Sequence, residues 1–542
     1  MRRFKYSHFV YTSLLFVFFS FLAGLLVFSC QKNDQQQNAE PLELTFYSAD
    51  AEGTEFDNDI GRIIIEKTGV KLRMIDNRMN QTSSVDLMIA NNKYPDLIFA
   101  KSDLSRLIEA GAILPLDNMI EQYGENMKKL YGDQIVKLRY TKEDPSIYSF
   151  GTYEIKGNKY ETSGTMQIQN AVLKEFGYPR IKTLSDYENL LLAYIKKYPE
   201  INGHKTLGLS LLIDDWYWYV GLSNPGNYVI GLPDDGQWIV NPYNQTAVYK
   251  FLNPQMKTFY KWLNKIYHEG LLDPESFTQN IDGWKAKLSE GYVLGTSFPL
   301  WSFSDIQANL MKKDMTDRTF AYLPVTASAQ FKDPSLKDYG YSGGWGIAIS
   351  RQCKDPERAF KFMDWMCSEE AQILVNWGIE GIDYYYDSDN KRLALNSSEQ
   401  TGGVGNWLYP FPQGGPGYID STGNPLGRNQ RENIIAGYNY AEKETLKAYG
   451  AELWTDLFPG SEELGVSKHG QVWQYPLKVQ SQLLVTKVDD FVKQSLVTMI
   501  LGEEKNFESE WKKMTSKIEE MGIHDIEKEM TGLIAGKIAL WN

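Results

Sequence analysis

The sequence predicts an α/β protein built as two large lobes or several domains. Three observations predict it. Short apolar runs alternate with amphipathic helical stretches at βαβ spacing from residue 42 onward. Single cores stop growing near ~250–300 residues, and this chain has 542. A hydrophobic content of 42% supplies ample material for burial.

The first thirty residues stand apart. Arg2, Arg3 and Lys5 precede an apolar run from about Phe9 to Phe28, and the sequence turns polar directly after Cys30. A charged start, an apolar stretch and a small residue before a cleavage point describe an export signal over residues 1–29. The other reading is an uncleaved membrane anchor, because ~20 apolar residues span a bilayer. Either places the rest of the chain outside the cytoplasm, tethered to a membrane. Residues 30–41, rich in Gln and Asn, read as a flexible tether.

Leu42–Tyr47 then reads as a strand ending at Ser48-Ala49-Asp50. Asp57 or Asn58 can cap a helix carrying Ile60, Ile63, Ile64 and Ile65, stopped by Thr68-Gly69. Val70–Ile75 is the next strand, Ser84 to Asn91 is helical, and Asp96–Ala100 is a third strand. Leu104–Ala110 is a short helix closed by Gly111. This alternation predicts a parallel sheet, whose ligands sit at the carboxyl ends of strands. Asp50 and the Lys101-Ser102-Asp103 turn fall at such ends.

Further along, Thr183–Tyr198 and Met256–Glu269 are amphipathic helices. In the second, Met256, Phe259, Leu263, Ile266 and Tyr267 share a face. Residues 291–298, Phe320–Pro324 and Gly344–Ser350 are strands. Asp355-Pro356 opens a helix, with Asp as cap and Pro at its first position. From about Ser397 the chain is rich in Gly, Pro and aromatics, and from about Asn429 it is helical.

Charge and cysteines exclude several classes. A formal net charge of −13 argues against nucleic acid, whose affinity comes from Lys and Arg on phosphates. Of three cysteines, Cys353 and Cys367 flank a helix of about eleven residues. Its ends lie ~17 Å apart, beyond the ~7 Å Cα limit of a disulfide, so both read as unpaired and buried.

The chain carries 14 Trp and 34 Tyr. They cluster at Asp214–Tyr219, Trp301, Tyr341/Trp345, Trp377 with Tyr384–Tyr386, Trp407/Tyr409 and Trp473/Tyr475. Flat C–H faces of sugar rings stack on such side chains, while sugar hydroxyls need carboxylate and amide partners. The competing reading makes most of them core. Trp216, Trp218, Trp301, Trp345 and Trp407 are expected to line a cleft, with Asp50, Lys101 and Asp214 or Asp215 as polar contacts. Catalytic patterns are poor. His204, His268, His469 and His524 are scattered, and no phosphate loop or zinc-protease motif occurs. Asp214-Asp215 could serve as a glycoside-cleaving pair, which keeps a surface glycosidase as the alternative function. Asp387–Asn390 reads as a hairpin turn rather than a calcium loop. No catalytic residue, metal or cofactor is expected.

Several segments, taken in order, resemble a known family. Val27-Phe28-Ser29-Cys30 resembles the lipobox of bacterial lipoproteins, which implies cleavage before Cys30 and a diacylglyceryl group on its sulfur. Residues 63–70 (IIIEKTGV), 93–98 (KYPDLI) and 107–116 resemble elements of family 1 extracellular solute-binding proteins, the maltose-binding-protein-like group. So do 182–187 (KTLSDY), 262–273 (WLNKIYHEGLLD), 346–372 and 378–384. The resemblance implies a two-lobed, hinge-bending fold of the type II periplasmic-binding class, with a ligand cleft between the lobes. It also implies capture of a carbohydrate, an oligosaccharide, for delivery to the permease of an ABC importer, by a monomer lipid-anchored to the outer face of the cell membrane. A peptide ligand on the same fold is the remaining alternative. Relatives that bind acidic oligosaccharides carry a calcium loop where residues 199–206 read PEINGHKT, with most acidic oxygens missing. The family pattern places 42–150 plus about 291–350 in the N-terminal lobe, and about 165–290 plus 355–542 in the C-terminal lobe.

Overall fold

The computed structural model describes residues 40–50, 56–75, 84–157, 159–395 and 401–542. The signal and Cys30 lie outside the described residues. Two mixed sheets, each with its own apolar core, organise the chain as two lobes.

In the first lobe, strand Leu42–Ser48 lies between Val70–Met74 and Leu97–Phe99, parallel to both. Gly346–Ile349 adds antiparallel to Leu97–Phe99, with Ile347 opposite Phe99, and Ser149–Gly151 closes the edge. The helix Asp59–Thr68 connects the first two strands. The Asn58 side chain accepts a hydrogen bond from the Gly61 amide, satisfying one of the free N–H groups at the helix start. Gly69, at φ 66°, ends it in the left-handed conformation that glycine adopts without strain. Ile60 and Ile64, one turn apart, are buried against the sheet. Helix Pro356–Met366, capped by Asp355, packs into the same core with Trp407 and Phe411. Cys353 and Cys367, at its two ends, are both free and buried.

In the second lobe, Met166–Gln169 pairs antiparallel with Phe320–Leu323 and Val293–Thr296, and the latter runs parallel to Leu207–Leu209. Helix Leu184–Lys197 begins in a reciprocal capping box between Thr183 and Asp186. Helices Lys257–His268, Val479–Leu501, Phe507–Glu520 and Ile523–Trp541 join this core. The last of them also touches the first lobe. There Lys537 Nζ donates to the Arg139 carbonyl at 2.7 Å, and Lys137 Nζ lies 4.3 Å from the Trp541 ring centroid. Among the described residues no helix is long and apolar enough to cross a membrane.

Two expectations are corrected. The sheets are mixed, not parallel, because Gly346–Ile349 and Met166–Gln169 run against their neighbours. The lobe division also differs. Residues 291–298 and 320–323 belong to the second lobe, where Gly295 pairs with Ile168 and Phe320 with Gln169. Residues 355 to about 426 belong to the first lobe, and the second resumes beyond them. Short, fully buried strands of similar composition carry no label for their partners. The Asp387–Asn390 segment is the expected turn, joining Tyr384–Tyr386 to Arg392–Ala394. Residues 200–205 form a tight hairpin with Asn202 and Gly203 at positive φ.

Candidate functional site

A cavity of about 880 Å³ lies between the lobes. On the first-lobe wall, Asp50 and Lys101 follow the adjacent parallel strands Leu42–Ser48 and Leu97–Phe99, at their carboxyl ends. Lys101 Nζ forms an ion pair with Asp50 Oδ1. Its ammonium also lies 5.2 Å from the Trp345 ring centroid and 5.6 Å from that of Trp216, within reach of the negative ring faces. Tyr409 donates to Asp50 Oδ2 at 2.8 Å. Tyr153 packs 6.0 Å from the Tyr409 ring and 6.4 Å from Trp345. Lys101 and Tyr153 have φ of 51° and 68°. Left-handed backbone is costly for side chains of this size and persists where the surroundings enforce it, as at ligand sites.

On the second-lobe wall, Trp301 and Trp216 are near-parallel, with ring centroids 6.1 Å apart and planes at 25°. They are 58% and 42% exposed, large apolar surfaces left open to the gap. Trp301 sits in the single turn Leu300–Ser302 after strand Val293–Thr296, where Pro299 fixes the approach of the chain. Trp473 meets Trp345 edge-on at 4.7 Å, so indoles from the two lobes touch. The indole N–H groups of Trp345 and Trp473 are buried and donate to nothing among the described residues.

The floor is polar. Asp489, on helix Val479–Leu501, accepts from Tyr249 at 2.6 Å, Gln237 at 2.8 Å and Tyr219 at 2.9 Å. Burial pushes its carboxyl up to about 6 despite those donors. Asp234 is also raised by burial, while Lys250 behind it is lowered to about 8 and donates to the Gly236 carbonyl at 2.7 Å. Beyond Trp301 lies a second, more open cavity of about 1250 Å³, bordered by Gln307, Asn429, Asn433 and Tyr438. Among the described residues no group of three or more His, Cys, Asp or Glu could hold a metal ion.

Of the residues singled out from sequence, Asp50, Lys101, Trp216, Trp301 and Trp345 converge on the cavity. Trp218 does not. It is 3% exposed and stacks on Phe251 at 6.4 Å inside the second-lobe core. Trp407 is 1% exposed, 4.5 Å from Phe56 and 5.3 Å from Phe411 in the first-lobe core. Asp214 and Asp215 are exposed and lie outside the cavity lining; the Asp215 carbonyl accepts from Lys493 at 3.1 Å. Sequence reasoning missed Tyr153, Tyr409, Trp473 and Asp489. The Trp407/Tyr409 and Trp473/Tyr475 clusters held the signal for two of them. Asp489 carried none, being one of two adjacent acids in a long helix.

Residues 64–377, more than half of the chain, match the model of a family described as bacterial extracellular solute-binding protein. The chain is 22% identical over 495 residues to the fructooligosaccharide ABC transporter substrate-binding protein FusA of Streptococcus pneumoniae, covering 85% of this chain and 83% of that one. It is 21% identical over 429 residues to lipoprotein LipO of Bacillus subtilis, covering 75% and 78%. The solved structure of S. pneumoniae FusA in complex with kestose superposes with a TM-score of 0.65 at 18% identity, over 92% of this chain and 99% of that one. The likeness to the solved structure establishes the two-lobed solute-binding fold.

Proposed function

Because the chain belongs to the bacterial extracellular solute-binding proteins, we propose that it captures an oligosaccharide between its lobes and delivers it to an ABC importer permease. The observation that carries this reading is the cavity lining. Trp216, Trp301 and Trp345 offer flat apolar faces, and among them stand carboxylates that can accept hydroxyl hydrogens. That is the complement of a ring with C–H faces and equatorial hydroxyls. The volume exceeds that of a single sugar ring several-fold. The relative FusA is named for fructooligosaccharide transport, which supports the same class. The family consists of binding proteins, and this chain is read as one too, because Asp214 and Asp215 face solvent rather than a bound glycosidic bond. Attachment through lipid on Cys30 is part of the proposal, supported by the Ser29-Cys30 junction and by a relative named as a lipoprotein.

The test is a melting-temperature screen against oligosaccharides, since a ligand that binds only the folded state raises the midpoint. Fructo-, manno- and xylo-oligosaccharides are the probes. At least one is expected to raise the midpoint of the wild-type protein. Trp301→Ala should weaken that binding about tenfold to a hundredfold, the effect of losing ~1–3 kcal/mol of stacking, with little change in the unliganded midpoint. A panel with no hit, or a Trp301→Ala protein that melts far lower with unaltered affinity, would overturn it.

A further inference from the structure

The charges in the cavity say which oligosaccharides can enter. Among the described residues the lining carries one cation, Lys101, and three carboxylates, Asp50, Asp234 and Asp489. Lys101 is already engaged: Asp50 neutralises its ammonium, and the Trp216 and Trp345 rings lie against it. Lys250, the other ammonium near Asp234 and Asp489, is fully buried behind the wall and bonded to the Gly236 carbonyl. A uronate or sulfate entering here would lose its water and find no free positive charge. It would instead face carboxylates at short range in a water-poor space, where like charges repel strongly. Neutral hydroxyls have no such difficulty. They donate to carboxylate oxygens with no like-charge repulsion.

Building on the oligosaccharide reading, we infer that the site selects uncharged oligosaccharides and rejects acidic ones, and that Asp50 enforces the choice by neutralising Lys101. Asp50 is thus a specificity residue as well as a contact. Its position is fixed by Tyr409, whose hydroxyl holds the second carboxylate oxygen at 2.8 Å. Replacing Asp50 with an isosteric amide keeps that acceptor and frees the ammonium for an anion.

The experiment is calorimetric titration of wild-type, Asp50→Asn and Lys101→Met proteins. The probes are neutral fructo- and manno-oligosaccharides and, at matched length, uronate oligosaccharides made from alginate and pectin. Wild type is expected to bind at least one neutral probe and to bind uronates at least tenfold more weakly. Asp50→Asn should narrow that gap by tenfold or more, and the gain for uronates should shrink with added salt. Lys101→Met, which removes the cation and keeps the carboxylate, should leave the gap as wide or wider. A uronate bound by wild type as tightly as any neutral probe would overturn the inference while leaving the oligosaccharide reading intact. So would an Asp50→Asn protein, folded by circular dichroism, whose gap is unchanged. Binding of neither class would overturn both.

Discussion

At the scale of single residues, the cavity divides side chains by two positions in sequence. Trp407 fills the first-lobe core, while Tyr409 reaches the cavity and holds Asp50. Trp218 is core, while Trp216 stands open beside Trp301. The sequence shows that these segments are aromatic, but a loop has no fixed period from which to tell inside from cleft. Asp489 is the residue with the most distinctive environment. Burial raises its carboxyl from an ordinary 3.8 to about 6, so the folded state holds that proton more tightly than the unfolded chain does. Its ionisation therefore opposes folding above about pH 6, and this opposition is relieved as pH falls from about 6 toward 4. Asp489→Asn carries no such charge. Its melting temperature relative to wild type should be highest near pH 7 and should fall steadily between pH 6 and 4. Melting curves of the two proteins across that range check this, and a constant offset would show that the carboxyl titrates normally.

At the scale of elements, local chemistry was legible and pairing was not. Helix ends announced themselves through caps: Asn58 and Gly69, and Asp355 before Pro356, act as read. Each is a contact within four residues or a single backbone conformation, so short-range sequence contains it. The Asn58 cap gives a simple check. Asn58→Ala leaves the Gly61 amide without its acceptor and should lower stability by about 1 kcal/mol, measured by urea denaturation, with an unchanged slope. Strand partners were a different matter. Val293–Thr296, Phe320–Leu323 and Gly346–Ile349 are all fully buried four-residue strands. The first two join the second lobe and the third the first lobe. What decides among them is how the intervening helices route the chain, and a four-residue apolar string does not record that.

At the scale of the whole molecule, the two lobes share the sequence in alternating stretches, and the proposed lipid anchor would precede them. If the Cys30 sulfur carries the lipid, Cys30→Ala should shift the protein from the membrane fraction to the medium or leave an unprocessed precursor. Fractionation with metabolic fatty-acid labelling checks it, and normal labelling of the variant would refute the anchor. The alternation itself has a further consequence. The central strand pair of the first lobe, Leu97–Phe99 with Gly346–Ile349, is separated by the entire early part of the second lobe, and helix Ile523–Trp541 returns to touch residues 137–139. Neither lobe is therefore a contiguous cassette that recombination could lift out and replace. In a chain organised this way the ligand preference can be retuned without touching the weave, by single substitutions around the cavity at positions such as 50, 101, 301 and 345.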